Sequence, residues 1–352
     1  MAGLVRRAIT AAAMAVALGA AVALSGETQA RVAPARPVPP AQRPAVARAP
    51  LSTVARSIGF EHRWVTPAKV LSVKSRLNEL LFEVDKREVK LNGLRLFMGD
   101  SAIAGDRTLR ITEIDRDRFL LPILAPQTLG VMQPLRVIAL DPGHGGRDRG
   151  TRSDAFNLDE KDLTLEVARR LKPMLEARGF TVFLTRTSDT YIPLPERPKL
   201  AAGAGADLFV SIHFNAAGPT VRGIETYVLT PQYQRSTGSD ELTAADDVLS
   251  PGNLHDGWNA HLGYVMHRQM VRDLALPDRG LKHARFVVLR DLATCPGVLV
   301  ECGYLSHKDE ARSINDPAHR EKLAASISAG IGAFNQRLVD LAAFRARPAG
   351  AK

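Results

Sequence analysis

The sequence predicts an α/β fold in which a mixed central sheet is flanked by helices, preceded by a small α+β domain. Three observations predict it. From about residue 135 to 342, short apolar runs of strand length alternate with longer runs of helical period. The first of those runs, RVIALDPGHGG (136–146), is a buried strand entering a Gly-rich turn. Upstream, residues 52–128 show strand-like alternation with a hairpin signal at Asn92-Gly93. At 352 residues and 45% hydrophobic content, the chain can supply one large core and a smaller unit beside it.

Residues 1–30 have an export design, Arg6 and Arg7 followed by the small, apolar run Ala8 to Leu24, with Thr28 and Ala30 as a small-residue cleavage site. The alternative is an uncleaved anchor, although the run falls short of the roughly 20 residues of a spanning helix. Membrane contact is expected only there. Residues 31–51, with prolines at 34, 37, 39, 40, 44 and 50, read as an extended linker. In the small domain, 52–128, LLFEVDKREVKLNGLRLFM (80–98) is the clearest run of strands, and TLRITEIDRDRFLLPIL (108–124) reads as a strand and a short helix.

In the larger domain, 135–342, Glu160 to Arg178 is a helix with Leu163, Val167 and Leu171 on one face, kinked by Pro173 and ended by Gly179. Phe180–Thr185, Asp207–His213, Gly223–Leu229, Phe286–Leu289 and Gly297–Cys302 read as strands. Helices are expected around Pro195–Ala204 and Trp258–Leu274, and over a long final segment begun by Asp316-Pro317. Cys295 and Cys302, the only cysteines, flank a strand and are not expected to meet.

The net charge of +10 would raise nucleic acid as a partner, but half of it lies in residues 1–50, where six Arg face one Glu. The remainder is mildly basic and carries no aromatic-interleaved basic patch. No nucleic-acid partner is expected; an anionic polymer such as the cell wall is compatible.

Zinc hydrolysis needs about three imidazole or carboxylate ligands, an open position and a nearby base. Four residues at strand ends and turns qualify. His144 sits in DPGHGG, Glu160 opens the next helix with Asp159 as a decoy beside it, His213 closes LFVSIHFN, and Glu301 closes VLVECG. In α/β sheets such groups converge beyond the carboxyl ends of strands. Asn215 and Arg197 are candidates for substrate contact or for supporting the ligands from behind. His255, His261 and His267 are spaced by six, unlike zinc histidines on one helix face. His283, His307 and His319 read as surface residues.

DPGHGGRDRGT, LDEKDLTLEVARRL, DLFVSIHFNA, GIETYVL and VLVECGYLSH occur in that order over roughly 135–340. Together they resemble the zinc-dependent N-acetylmuramoyl-L-alanine amidases of bacterial cell-wall remodelling and daughter-cell separation. The resemblance implies one zinc ion per catalytic domain held by His144, Glu160 and His213, Glu301 as the catalytic acid and base, peptidoglycan as substrate, and a periplasmic or cell-envelope location. Residues 52–128 resemble the copper-amine-oxidase-type N-terminal module, without a copper site. Two other readings stay open: a zinc peptidase or deacylase acting within the peptide, and a non-catalytic wall-binding protein. Thr230–Gly257, long, polar and carrying the acidic residues Asp240, Glu241, Asp246 and Asp247, is expected to be either a mobile lid or regulatory segment near the site, on which an activator protein would act, or a surface insertion.

Overall fold

A computed structural model describes residues 45–346; the expected export segment and the linker before residue 45 lie outside the described residues. The N-terminal part begins with β1 (Arg48–Pro50) and α1 (Leu51–Ser57). Strands β2 (Glu61–Thr66), β3 (Val70–Lys74), β4 (Glu79–Glu83), β5 (Glu88–Leu91), β6 (Leu94–Phe97), β7 (Ile103–Gly105) and β8 (Thr108–Thr112) follow, and a π-helical turn, Asp115–Leu120, runs into α2 (Leu121–Leu124). Asn92 and Gly93 take left-handed φ of 52° and 86° between β5 and β6, the two-residue turn that the Asn-Gly pair favours. The linker expected to reach residue 51 ends sooner, because Arg48–Pro50 pairs antiparallel with β8. Pro50 is tolerated there because β1 is an edge strand.

The second part contains β9 (Val137–Pro142), the two-residue strands β10 (Arg152–Ser153) and β11 (Leu158–Asp159), α3 (Glu160–Glu176), β12 (Thr181–Leu184), α4 (Glu196–Gly203), β13 (Leu208–Asn215) and β14 (Ile224–Leu229). It closes with α5 (Asp256–Leu274), β15 (Asp278–Ala284), α6 (Val287–Arg290), β16 (Gly297–Tyr304), α7 (Lys308–Asn315) and α8 (Pro317–Arg345). The Asp316 carboxylate accepts the Ala318 amide and caps α8, as the Asp-Pro pair predicts. Two segments depart from the expected elements. Phe286–Leu289, read as a strand from its β-branched composition, is a single helical turn that buries Val288 and Leu289 against the sheet; burial overrides propensity in so short a run. The strand Asp278–Ala284 went unread because a bulge at Gly280 interrupts its alternation.

Eleven strands form one mixed sheet in the order β12-β9-β13-β16-β14-β15-β6-β5-β4-β3-β2. The first four are parallel, β14 runs antiparallel to β16, and β15 and β6 follow the direction of β14. Thus the N-terminal strands continue the larger sheet, joined where Leu281 pairs with Leu96, both fully buried. Each such leucine contributes about 1.5–3 kcal/mol by leaving water. Helices α3, α5 and α8 pack on one another and cover one face, and a single apolar core runs from Leu51 to Leu338. A smaller cluster with Phe209, Leu289 and Leu299 lies on the other face. Both cysteines are buried and free. None of the described helices is long and apolar enough to cross a membrane.

Strand direction also corrects the place of Thr230–Gly257. Because β14 is antiparallel to β16, its carboxyl end lies level with the start of β16, at the opposite end of the sheet from Glu301 and His213. The segment is fastened there by two short 3-10 turns with capping boxes, by Asp246 on Arg285 at 2.8 Å, and by the Arg87 guanidinium on carbonyls of residues 235, 236, 237 and 239. It is therefore not a lid over the predicted site.

Candidate metal centre

His144, Glu160 and His213 converge, with one donor atom from each lying within 4.8 Å of the others. Each arrives by a local device. The chain leaving β9 turns sharply at His144, whose φ of 63° is unusual for a residue with a side chain, followed by Gly145 at 131°. Glu160 is the first residue of α3. Its Oε1 accepts the Phe214 amide at 2.9 Å and its Oε2 the Thr151 amide at 2.7 Å, so its position is fixed by backbone. Those same oxygens face His213 Nδ1 at 2.9 Å and His144 Nε2 at 3.1 Å. Two glycines make the room: a Cβ on Gly143 would lie 2.3 Å from the His213 ring, and one on Gly150 2.6 Å from both Glu160 Oε2 and the His144 ring.

The electrostatics suit a cation. Burial alone would raise the Glu160 carboxyl, but the two imidazoles hold it well below the usual carboxylate range. Burial lowers the His144 imidazole, yet hydrogen bonds to Asp148 and Glu160 override this and push it up to about 10. Three tightly placed donors with surplus carboxylate at Asp148, and backbone holding the central carboxylate, fit a divalent ion of borderline softness.

Glu301 lies beside this group, paired in register with His213 on β13 and with Glu225 on β14. Its Oε2 is buried with no hydrogen-bond partner. Burial pushes its carboxyl well above the ordinary value, and the Glu160 and Glu225 carboxylates push the same way. A buried, unpartnered carboxyl next to a cation-binding cluster is placed to hold and pass on a proton.

Arg197 is buried, 1% exposed. Its Nη1 reaches Asp141 at 2.8 Å and its Nη2 the His144 carbonyl at 2.8 Å, so it braces the His144 turn from beneath and is closed to substrate. Asn215 donates to Glu225 at 3.0 Å. Asp159, the decoy, pairs with Arg149 and Arg152 and stays out of the cluster. His283, read as a surface residue, is buried beneath Phe119, because the strand that carries it was not read. Four contributors went unread. Asp148 holds His144 Nδ1 at 2.7 Å and leaves Nε2 for the cluster. Glu225, Arg279 and Lys282 form an ion-paired group beyond Glu301. Asp148, four residues after His144, was visible as a pattern; the others meet only through sheet pairing.

A family profile described as N-acetylmuramoyl-L-alanine amidase matches residues 138–333. A probable N-acetylmuramoyl-L-alanine amidase AmiB of Haemophilus influenzae is 34% identical over 224 residues, covering 56% of this chain and 52% of that protein. The amidase AmiC of Neisseria meningitidis serogroup B is 34% identical over 218 residues, covering 55% and 51%. The chain thus spans about half the length of these curated relatives. Among solved structures, an N-acetylmuramoyl-L-alanine amidase from Clostridium difficile 630 aligns with 32% identity and a TM-score of 0.48, covering 57% of this chain and 97% of that one.

Proposed function

This chain belongs to the N-acetylmuramoyl-L-alanine amidase family, and from that premise we propose that it is an exported zinc hydrolase cutting the amide between N-acetylmuramic acid and L-alanine in peptidoglycan. The observation that carries the reading is the convergence of His144, Glu160 and His213 with the unpartnered Glu301 carboxyl alongside. The first three would hold zinc, which when bound would polarise the scissile carbonyl and make water acidic enough to attack. With a cation bound beside it, Glu301 would be ionised and would take the proton of the attacking water and deliver it to the departing alanine nitrogen. Asp148 fixes the tautomer of His144, and Arg197 fixes the backbone that presents it. The export segment and location outside the cytoplasmic membrane rest on the Arg6–Ala30 pattern.

The test is a digest of purified peptidoglycan with zinc-loaded protein, read by mass spectrometry. An amidase releases stem peptides beginning with L-alanine and glycan with intact lactyl carboxylates. Cuts confined to bonds within the peptide would assign the chain to peptidases instead.

A further inference from the structure

One level of the sheet carries functional side chains on four neighbouring strands: His213 on β13, Glu301 on β16, Glu225 on β14 and Arg279 on β15. Strands are about 4.8 Å apart, so the row runs from the metal ligands past the proton carrier to a guanidinium. The place of Arg279 depends on a bulge. Ile224 faces Asp278 while Thr226 faces Leu281, which puts one extra residue into β15. In a regular strand residues 279 and 282 would point to opposite faces; here both reach Glu225 Oε1, Arg279 Nε at 2.9 Å and Lys282 Nζ at 2.5 Å. Gly280 makes the bulge, with φ of 101° and the Phe97 ring 2.4 Å from where a Cβ would stand.

Two cations therefore meet one carboxylate. Glu225 is buried, and Tyr227 and Asn215 also donate to its other oxygen at 2.7 and 3.0 Å. Lys282 is enclosed, its Nζ 5.8 Å from the centroids of Phe97 and Tyr227, and its charge alone balances that of Glu225. Arg279 is the surplus charge. A third of its side chain is exposed, it lies over the Tyr304 ring, and it spends only Nε on Glu225 and the Tyr304 hydroxyl. Among the described residues Nη1 and Nη2 have no partner. A guanidinium held by its inner nitrogen, with the outer two open, is shaped to receive a carboxylate in two parallel bonds.

We propose that Arg279 is a specificity-determining residue that binds the first free carboxylate of the stem peptide, carried by the residue after L-alanine, on the side of Glu301 away from His144. The proposal rests on the amidase reading. That second residue is linked onward through its side-chain carboxyl, which leaves its α-carboxylate ionised. It lies about two residues from the scissile carbonyl, on the order of 7 Å in an extended peptide, the scale of one to two strand spacings beyond Glu301.

The experiment compares kcat/KM of the zinc-loaded full chain on two muramyl tripeptides that differ in one group, MurNAc-L-Ala-γ-D-Glu-L-Lys, with a free α-carboxylate on the second residue, and its carboxamide MurNAc-L-Ala-D-isoglutaminyl-L-Lys, the side-chain carboxyl of that residue being amide-linked in both. The wild type is expected to favour the free acid by roughly 10- to 100-fold, the worth of a charge-assisted pair of bonds. Arg279→Gln should bring the ratio near one and Arg279→Lys should leave part of it. The ratio is internal to each variant, so a smaller folded fraction does not change it, and Arg279→Lys decides alone if Arg279→Gln fails to fold. A wild-type ratio near one, or a ratio that survives in Arg279→Gln, overturns the proposal. If the wild type cleaves neither compound and releases no peptides beginning with L-alanine from purified peptidoglycan, the amidase reading fails. Where peptidoglycan is cut but neither compound is, calorimetric binding of L-Ala-γ-D-Glu-L-Lys against L-Ala-D-isoglutaminyl-L-Lys decides the subsite: a preference for the acid that depends on Arg279 supports it, and equal binding overturns it.

Discussion

Replacing Glu301 by Gln should make the enzyme slower and the metal-free protein more stable, with a stability gain that grows with pH. Glu301 is 8% exposed, its Oε2 has no partner, and both burial and the carboxylates of Glu160 and Glu225 raise its pKa. Above about pH 4.5 the unfolded chain releases this proton while the folded chain retains it. The folded state then binds more protons, so stability falls as pH rises, by up to ~1.4 kcal/mol per pH unit until the folded pKa is reached. Gln has no such proton. The gap in Tm between variant and wild type, measured after chelation by scanning calorimetry at pH 5, 6 and 7, should widen by roughly 2–3 °C per pH unit for a folded unit of this size. Zinc-loaded Glu301→Gln should keep its metal and lose roughly 10²–10⁴-fold in amidase rate. A Tm gap that is flat or narrows with pH would refute the burial argument, and turnover near wild type would refute the role in proton transfer.

Glu160→Ala removes the acceptor that two backbone amides hold between the histidines, and metal analysis after dialysis should find zinc far below one per chain. Gly143→Ala puts a methyl 2.3 Å from the His213 ring, and competition with a chelating dye should show zinc affinity about 10- to 100-fold weaker in a folded protein. His261 is buried against the Pro122 carbonyl, 3.1 Å away, and burial followed by the charge of Arg337 lowers its imidazole to about 4. Between pH 6.5 and 4 the unfolded chain therefore binds the extra proton and stability falls with pH; urea midpoints at pH 7.5 and 4.5 should differ less in His261→Leu. Deleting residues 1–128 strips β6 from β15 and opens the shared core at Leu281, so the remainder should aggregate or melt at least ~10 °C lower by circular dichroism.

The sequence by itself determined the parts of this protein whose signals are local. Helical period placed α3 and α5, the Asp-Pro pair placed the start of α8, and Asn92-Gly93 placed the hairpin, because each depends on residues within one or two turns of chain. His144, Glu160, His213 and Glu301 stood out as polar groups in motifs that are otherwise apolar or glycine-rich, since a buried carboxylate or imidazole needs a reason to be there. Only the tertiary structure decided what depends on which strands become neighbours and which way they run. The reversed direction of β14 carried Thr230–Gly257 away from the site and set Glu225 against Glu301. One extra residue at Gly280 turned Arg279 and Lys282 to the same carboxylate, and pairing of Leu96 with Leu281 made one sheet of two segments. Register and direction are set by burial summed over the whole sheet, so residues more than fifty positions apart acquire a shared chemistry that no local pattern encodes.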